Sequence, residues 1–340
     1  MHRNERPQTF NSNLIPLLPE EGLGVVGAKG ANPLSLPLRK GEFLNMYADI
    51  ASNKRNSAIL IGLFIGLLAA VGYVYGYVTG AGYDGLIFAM AISIVMTLVS
   101  WFAGDSIALS MAGAQQITER AQNTYVWNLV ENLCITAGLP MPRIFLIDDP
   151  APNAFATGRD PEHASIALTT GLVQIMENEE LEGVIAHELS HVKNLDIRWM
   201  MLVAVLVGCL SLLADWMFRG SLFRRRDSNE GGGLGLVLGI AVIILAPIIG
   251  QLIKFAISRR REYLADASGA LLTRYPEGLA RALEKIRDAG QAVERAPNAT
   301  AHLWIAEPHG HQGFSEKLAG LFSTHPPIDD RVQKLRTMGH

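Results

Sequence analysis

Residues 179–218, EELEGVIAHELSHVKNLDIRWMMLVAVLVGCLSLLADWMF, join two kinds of sequence without a linker. The first half reads as a helix. Glu179, Glu180 and Glu182 crowd its first turns, where the macrodipole favours negative charge. His187-Glu188-Leu189-Ser190-His191 follows, placing two imidazoles one turn apart on one face, close enough to share a single ion. The second half, Trp199 to Phe218, is a 20-residue apolar run broken only by Asp215, long enough to cross a hydrocarbon core of about 30 Å as a helix. A metal-site helix that feeds into lipid-like sequence predicts a mainly α membrane protein carrying a small α+β domain.

Three more apolar runs support this: Ala58 to Val78, Leu86 to Gly104 and Leu234 to Ile257, giving about four hydrophobic helices. Composition leans the same way, with 49% hydrophobic and 18% charged residues and a mean hydropathy of +0.21, where soluble domains carry about 25% charged residues. A net charge of -3 offers no basic face for nucleic acid, which is excluded as a partner. Two cysteines, Cys134 and Cys209, cannot make a disulfide framework. No secretory leader is visible at the N-terminus. Lys54 and Arg55 precede the first run and Arg120 follows the second, so the positive-inside bias puts both flanks in the cytoplasm. Arg219 and Arg224 to Arg226 lie between the last two runs, against that bias, so the second hairpin is open to incomplete crossing.

The predicted organisation is a mobile Gly- and Pro-rich arm over 1–48, a first transmembrane hairpin over 49–111, and a catalytic segment over 112–198. A second hydrophobic hairpin over 199–257 and a second catalytic segment over 258–340 complete it. Within the catalytic part, Ala112 to Ala137 reads as one amphipathic helix ending at Gly138, a C-cap residue followed by Pro140 and Pro142. Arg143 to Ile147 and Ser165 to Thr169 read as strands of a small sheet.

The paired histidines suit zinc, since neutral imidazole and carboxylate oxygen are good ligands and a catalytic site needs three protein ligands plus water. Glu188, beside that water, can take its proton and return it to a leaving amine. Glu262-Tyr263-Leu264-Ala265-Asp266 supplies the missing carboxylate: Glu262 and Asp266 share one helical face, so one can bind zinc while the other holds a ligand imidazole. The competing reading is an exposed acidic pair beside Arg259 to Arg261. His302, His309 and His311 lack the spacing of a second metal site and read as solvated loop. The functional rival is a non-catalytic transporter or scaffold marked by Asp215, Gln251 and Lys254.

Asn153 to Gly158 (NAFATG), Ala186 to Asn194 (AHELSHVKN), Arg261 to Ala267 (REYLADA) and Ser323 to Arg331 (STHPPIDDR) together resemble the HtpX family of membrane metallopeptidases. The resemblance covers about Asp49 to the C-terminus, including Asn53-Lys54-Arg55 at the entry to the first run, and the related CAAX prenyl protease shares the metal motifs with more spans. It implies a gluzincin-type zinc endopeptidase in the plasma (inner) membrane of a bacterium or archaeon. Such an enzyme degrades misfolded or damaged membrane proteins in quality control under stress, with its active site facing the cytoplasm. Carried onto this sequence, it makes His187, His191 and Glu262 the ligands of one zinc, Glu188 the general base and Asp266 a support behind a ligand. His325 and Arg331 match the family's C-terminal motif and are expected to be catalytic, with the histidine near the reacting carbonyl, where it could stabilise the oxyanion. Asn153, Ala154, Phe155 and Ala156 border an edge strand that pairs with extended substrate.

Overall fold

The computed structural model describes residues 40–206, 208–209, 259–296, 300–308 and 326–338, with the backbone alone for 40–52, 54, 75, 78 and 79. Most of the arm, most of the second hydrophobic hairpin and His325 lie outside the described residues. Two long helices open the described chain, α1 (Lys40–Thr79) and α2 (Asp84–Met111), so helix reaches back into the stretch read as an arm. Both contain segments long and apolar enough to cross a membrane, Arg55–Val74 and Asp84–Met111, and only 28% and 11% of these are buried. Ile87, Phe88, Val95, Leu98 and Phe102 stand exposed along α2, more apolar surface than a water-facing helix presents. The two helices touch backbone to backbone: a Cβ on Gly72 would lie 2.5 Å from the Gly85 carbonyl oxygen, so the approach depends on bare glycine.

Ala112 to Ala137 is not one helix. The chain turns at Gly113, in the left-handed region, and forms strand β1 (Gln115–Ile117) before α3 (Thr124–Ala137) begins. The Asn123 side chain accepts from the Val126 N–H and starts α3 there, a cap hidden inside an otherwise continuous pattern. Gly138, at φ 67°, ends it as anticipated.

Strands β2 (Arg143–Ile147), β3 (Ala154–Gly158) and β4 (Ala164–Thr169) complete a four-stranded sheet in the order β1-β2-β4-β3. β2 and β4 are parallel, with Ile144 opposite Ile166, and β3 runs antiparallel to β4 at the edge, with Phe155 opposite Ala167. A short α4 (Thr170–Ile175) leads to α5 (Asn178–Lys193), whose residues from Leu181 to Val192 are almost all buried. The chain then bends through Leu195 into α6 (residues 196–206).

After the undescribed segment come α7 (Arg259–Thr273), α8 (Pro276–Ala289) and, later, α9 (Ile328–Met338). α5 is the central rod, packed by β3, α3, α7 and α8. Small residues let these neighbours close on it. A Cβ on Gly269 of α7 would lie 2.9 Å from the His187 backbone nitrogen, and one on Gly183 would lie 2.7 Å from the Leu279 nitrogen of α8. One apolar core fills the space between sheet and helices around Val130, Ile166, Leu181, Ile185 and Leu283. A second joins Leu60, Phe64 and Leu68 of α1 to Phe155, Leu202, Val203 and Trp304.

Candidate metal centre

The two histidines project from the middle of α5, His187 fully buried and His191 nearly so. Their Nε2 atoms lie 3.2 Å apart with the rings almost perpendicular, at 88°. Glu262, in the first turn of α7, faces both: one carboxylate oxygen is 3.8 Å from His187 Nε2 and the other 3.7 Å from His191 Nε2. Donor atoms bound tetrahedrally at 2.0–2.1 Å stand about 3.3 Å apart, close to this spacing. Among the described residues, His187, His191 and Glu262 form the cluster of metal-capable side chains, with donor atoms within 4.8 Å of one another.

Each imidazole is held from behind by a carboxylate. Asp266 Oδ1 lies 3.0 Å from His187 Nδ1 and Asp196 Oδ2 lies 3.0 Å from His191 Nδ1. Each contact places an N–H on Nδ1, so that the neutral ring turns its Nε2 lone pair to the shared point. Asp266 is one helical turn beyond Glu262, so the two carboxylates divide the labour in the way their spacing allows. Asp196 was missed by sequence reasoning. It reaches back to His191 because Leu195 takes a left-handed φ of 59°, and a bend of that kind after a helix has no apolar or charge signature.

Arg331, on α9, is fully buried and donates from Nε and Nη2 to the two oxygens of Asp266 at 2.9 and 2.7 Å. Its Nη1 donates to the Ile305 carbonyl at 2.9 Å. Nη2 also lies 3.5 Å from His187 Nδ1, and Nη1 lies 3.8 Å from a Glu262 carboxylate oxygen, so Arg331 borders the ligand cluster from behind the His187 ring. Its guanidinium is committed to the two oxygens of the Asp266 carboxylate and to a backbone oxygen. His325, its companion in the same motif, lies outside the described residues.

Glu188 shares this interior. Burial pushes its carboxyl up to about 7, with the negative charge of Glu262 adding to the rise and the charges of His191 and Arg331 and the Ala156 N–H opposing it. Its Oε1 has no hydrogen-bond partner among the described residues. A buried carboxylate oxygen left open in this way fits a site that receives water. Burial pulls His187 down to about 4. It pulls His191 down too, but the Asp196 hydrogen bond and the Glu262 charge outweigh it and hold that ring at about 9. For Asp266, burial raises the carboxyl, yet the Arg331 charge and the His187 contact bring it below the usual range. Glu188, Glu262, Asp266 and Asp196 thus gather around the imidazoles with two guanidinium groups, Arg331 and Arg261, and a divalent cation would displace the His191 proton in this acidic surrounding. Two neutral-capable imidazoles, a carboxylate, a correct spacing and the open Glu188 oxygen all fit such an ion.

The edge strand next to the site is less open than its sequence suggests. The Ala154 carbonyl accepts from the Ile305 N–H at 2.9 Å, and Phe155 pairs with Trp304. Asn153 donates from Nδ2 to the Ala306 carbonyl at 3.0 Å, and its Oδ1 takes the Ala306 N–H at 3.4 Å and the Ala154 N–H at 3.0 Å. Residues 304–306 therefore already occupy the outer side of Asn153 to Phe155, and Ala156 is where that edge turns to Glu188. His302 also departs from the expected solvated loop: it is buried, with Nε2 3.0 Å from the Met200 carbonyl oxygen.

The model of peptidase family M48 matches residues 120–339. A protease HtpX homologue of Tropheryma whipplei (strain TW08/27) is 44% identical over 297 residues, 87% of this chain and 99% of that protein. One from Dictyoglomus turgidum is 44% identical over 295 residues, covering 86% and 95%. The crystal structure of S. mikatae Ste24p aligns with a TM-score of 0.47 at 18% identity, over 86% of this chain and 67% of that one.

Proposed function

Because this chain belongs to peptidase family M48, and with its HtpX protease relatives is a metalloprotease, we propose that it is a zinc endopeptidase anchored in the membrane, acting on misfolded or damaged membrane proteins. The single observation that carries the zinc assignment is the convergence of His187 Nε2, His191 Nε2 and a Glu262 carboxylate within 3.8 Å, beside the open oxygen of Glu188.

Bound there, zinc would lower the pKa of a water and polarise the scissile carbonyl. Everything else falls to the chain. Asp266 and Asp196 fix the tautomer and tilt of the two imidazoles, and Arg331 fixes Asp266. Glu188 takes the water's proton at its free Oε1 and passes it to the leaving amine nitrogen, work suited to a carboxyl whose pKa burial has moved toward neutrality. Arg331 acts through Asp266 as a positioning residue and not as a donor to substrate.

Extended, locally unfolded polypeptide suits this site best, since an edge strand grips backbone whatever the side chains. With Asn153 to Phe155 engaged by residues 304–306, substrate pairs from Ala156 onward. The two apolar helices support a membrane location, and the cationic flanks Lys54, Arg55 and Arg120 support a multi-pass protein with its site in the cytoplasm.

The assignment is tested by purifying Glu188→Gln and Glu262→Ala and measuring bound zinc and casein hydrolysis. Glu188→Gln should keep one zinc and lose hydrolysis, while Glu262→Ala should lose zinc affinity. Full activity in the first, or undiminished affinity in the second, would overturn the roles.

A further inference from the structure

Asp196 is 1% exposed, and a buried carboxylate is costly unless every oxygen finds a donor. One oxygen is used by His191 Nδ1. The other, Oδ1, accepts from Asn53 Nδ2 at 2.7 Å, a residue 143 positions earlier in the chain. The same amide donates to the Asn194 carbonyl at 3.2 Å, so Asn53 bridges the two residues on either side of Leu195, whose left-handed backbone is unfavourable for a residue with a side chain.

Asn53 is itself set in place. It is 4% exposed, its backbone carbonyl takes the Ser57 hydroxyl at 2.8 Å, and its Oδ1 accepts from Arg261 at 3.4 Å, the residue immediately before Glu262. It stands two residues before the candidate span Arg55–Val74. Along that helix Ser57, Leu60, Phe64 and Leu68 are the next buried positions, a single face that includes members of the core shared with α6.

From these contacts we propose that Asn53 is a positioning residue of the metal centre, acting on His191 through Asp196, so that seating of the first apolar helix sets how well the site holds metal. The proposal rests on the assignment of His191 as a ligand. Asn53 would orient Asp196, Asp196 would orient the ring, and the turn at Leu195 would be clamped by the same amide. Arg261 carries the link to α7, where the third carboxylate sits. An asparagine suits this position because it gives both N–H groups, to Asp196 and to Asn194, while its oxygen receives the guanidinium.

The test uses the full-length protein in detergent, stripped of metal, with zinc affinity read by chelator competition on the folded fraction and ligand geometry read from the visible spectrum of the cobalt-loaded protein. Asn53→Leu should weaken zinc by about 3- to 30-fold and shift the cobalt bands, while Asp196→Asn should weaken it by about 10- to 100-fold. Ile59→Ala, at an exposed position of the same helix, should change neither. The double variant should be no weaker than Asp196→Asn alone, because the two residues lie on one path. If Asn53→Leu does not fold, Asn53→Ala carries the same expectations. Zinc affinity within twofold of the unchanged protein, or losses that multiply in the double variant, would overturn the relay. Undiminished zinc binding by His191→Ala would overturn the ligand assignment beneath it.

Discussion

Asp266 Oδ1 lies 3.0 Å from His187 Nδ1 while both oxygens of the same carboxylate are gripped by Arg331. The imidazole is thus fixed by a group that is itself fixed, from a helix much later in the chain. Asp266→Asn keeps the shape and removes the charge, and should weaken zinc by about 10- to 100-fold. Asp266→Ala strands a buried guanidinium as well, and should cost about 3–5 kcal/mol of stability. Chelator competition and thermal unfolding of the metal-free protein measure the two effects separately. Unchanged zinc affinity in Asp266→Asn would remove Asp266 from the site.

Gly269→Ala is expected to disturb the metal centre although it touches no ligand side chain. The added methyl would meet the His187 backbone nitrogen at 2.9 Å, so α7 must retreat from α5 and carry Glu262 with it. Overpacking of this kind costs about 1–3 kcal/mol. Zinc should be bound more weakly, and casein hydrolysis at limiting zinc should fall while excess zinc partly restores it. No dependence on added zinc would mean the crossing tolerates the methyl.

Zinc binding should release a proton near pH 7.5. In the metal-free protein His191, held at about 9, carries a proton there, while burial keeps His187, at about 4, neutral. A ligand must be neutral, so apparent affinity should rise with pH up to about 9 and flatten above it. The stability signs are opposite for the two rings. His191's raised pKa contributes stability present below its unfolded value near 6.5 and lost as pH rises through about 9. His187's lowered pKa contributes stability present above about 6.5 and lost as pH falls through about 4. Calorimetry in two buffers of different ionisation enthalpy gives the proton count. A count of zero at pH 7.5 would contradict a protonated His191.

Introduced cysteines at Asp160 and Glu284 should be labelled from the same, cytoplasmic, side of the membrane. Asp160 precedes β4 and Glu284 lies on α8, and α5, which follows that sheet, packs directly on α8. Membrane-impermeant thiol reagent applied to intact cells should reach neither residue until the membrane is opened. Labelling of either in intact cells would reverse the orientation drawn from Lys54, Arg55 and Arg120.

Much of the site was legible because its chemistry is periodic. The spacing of His187 and His191, and of Glu262 and Asp266, follows the helical repeat, and the structure brings all four side chains together. Strands β2 and β4 were readable from β-branched and aromatic runs between turn residues. What escaped depends on local backbone breaks or distant pairing. The Asn123 cap divided a pattern that reads as continuous helix, and the single left-handed residue Leu195 returned Asp196 to the site. Burial of His302 and the pairing of residues 304–306 with β3 join segments whose contact no spacing rule encodes. Asn53 was noticed for its place in a motif, and its partners became visible only with the fold.

The far-apart origin of the groups around His187 also imposes an order in time. Arg331 follows His187 by 144 positions, so at about 5–20 residues per second the ribosome needs roughly 7–30 s to supply it after the histidine helix has been made. For about the first half of that interval the nascent protease has its paired histidines without Glu262, 75 positions on, and throughout it lacks the clamp on Asp266. A protein-cutting enzyme assembled in this sequence completes the set of residues around its metal site only when its synthesis is nearly over.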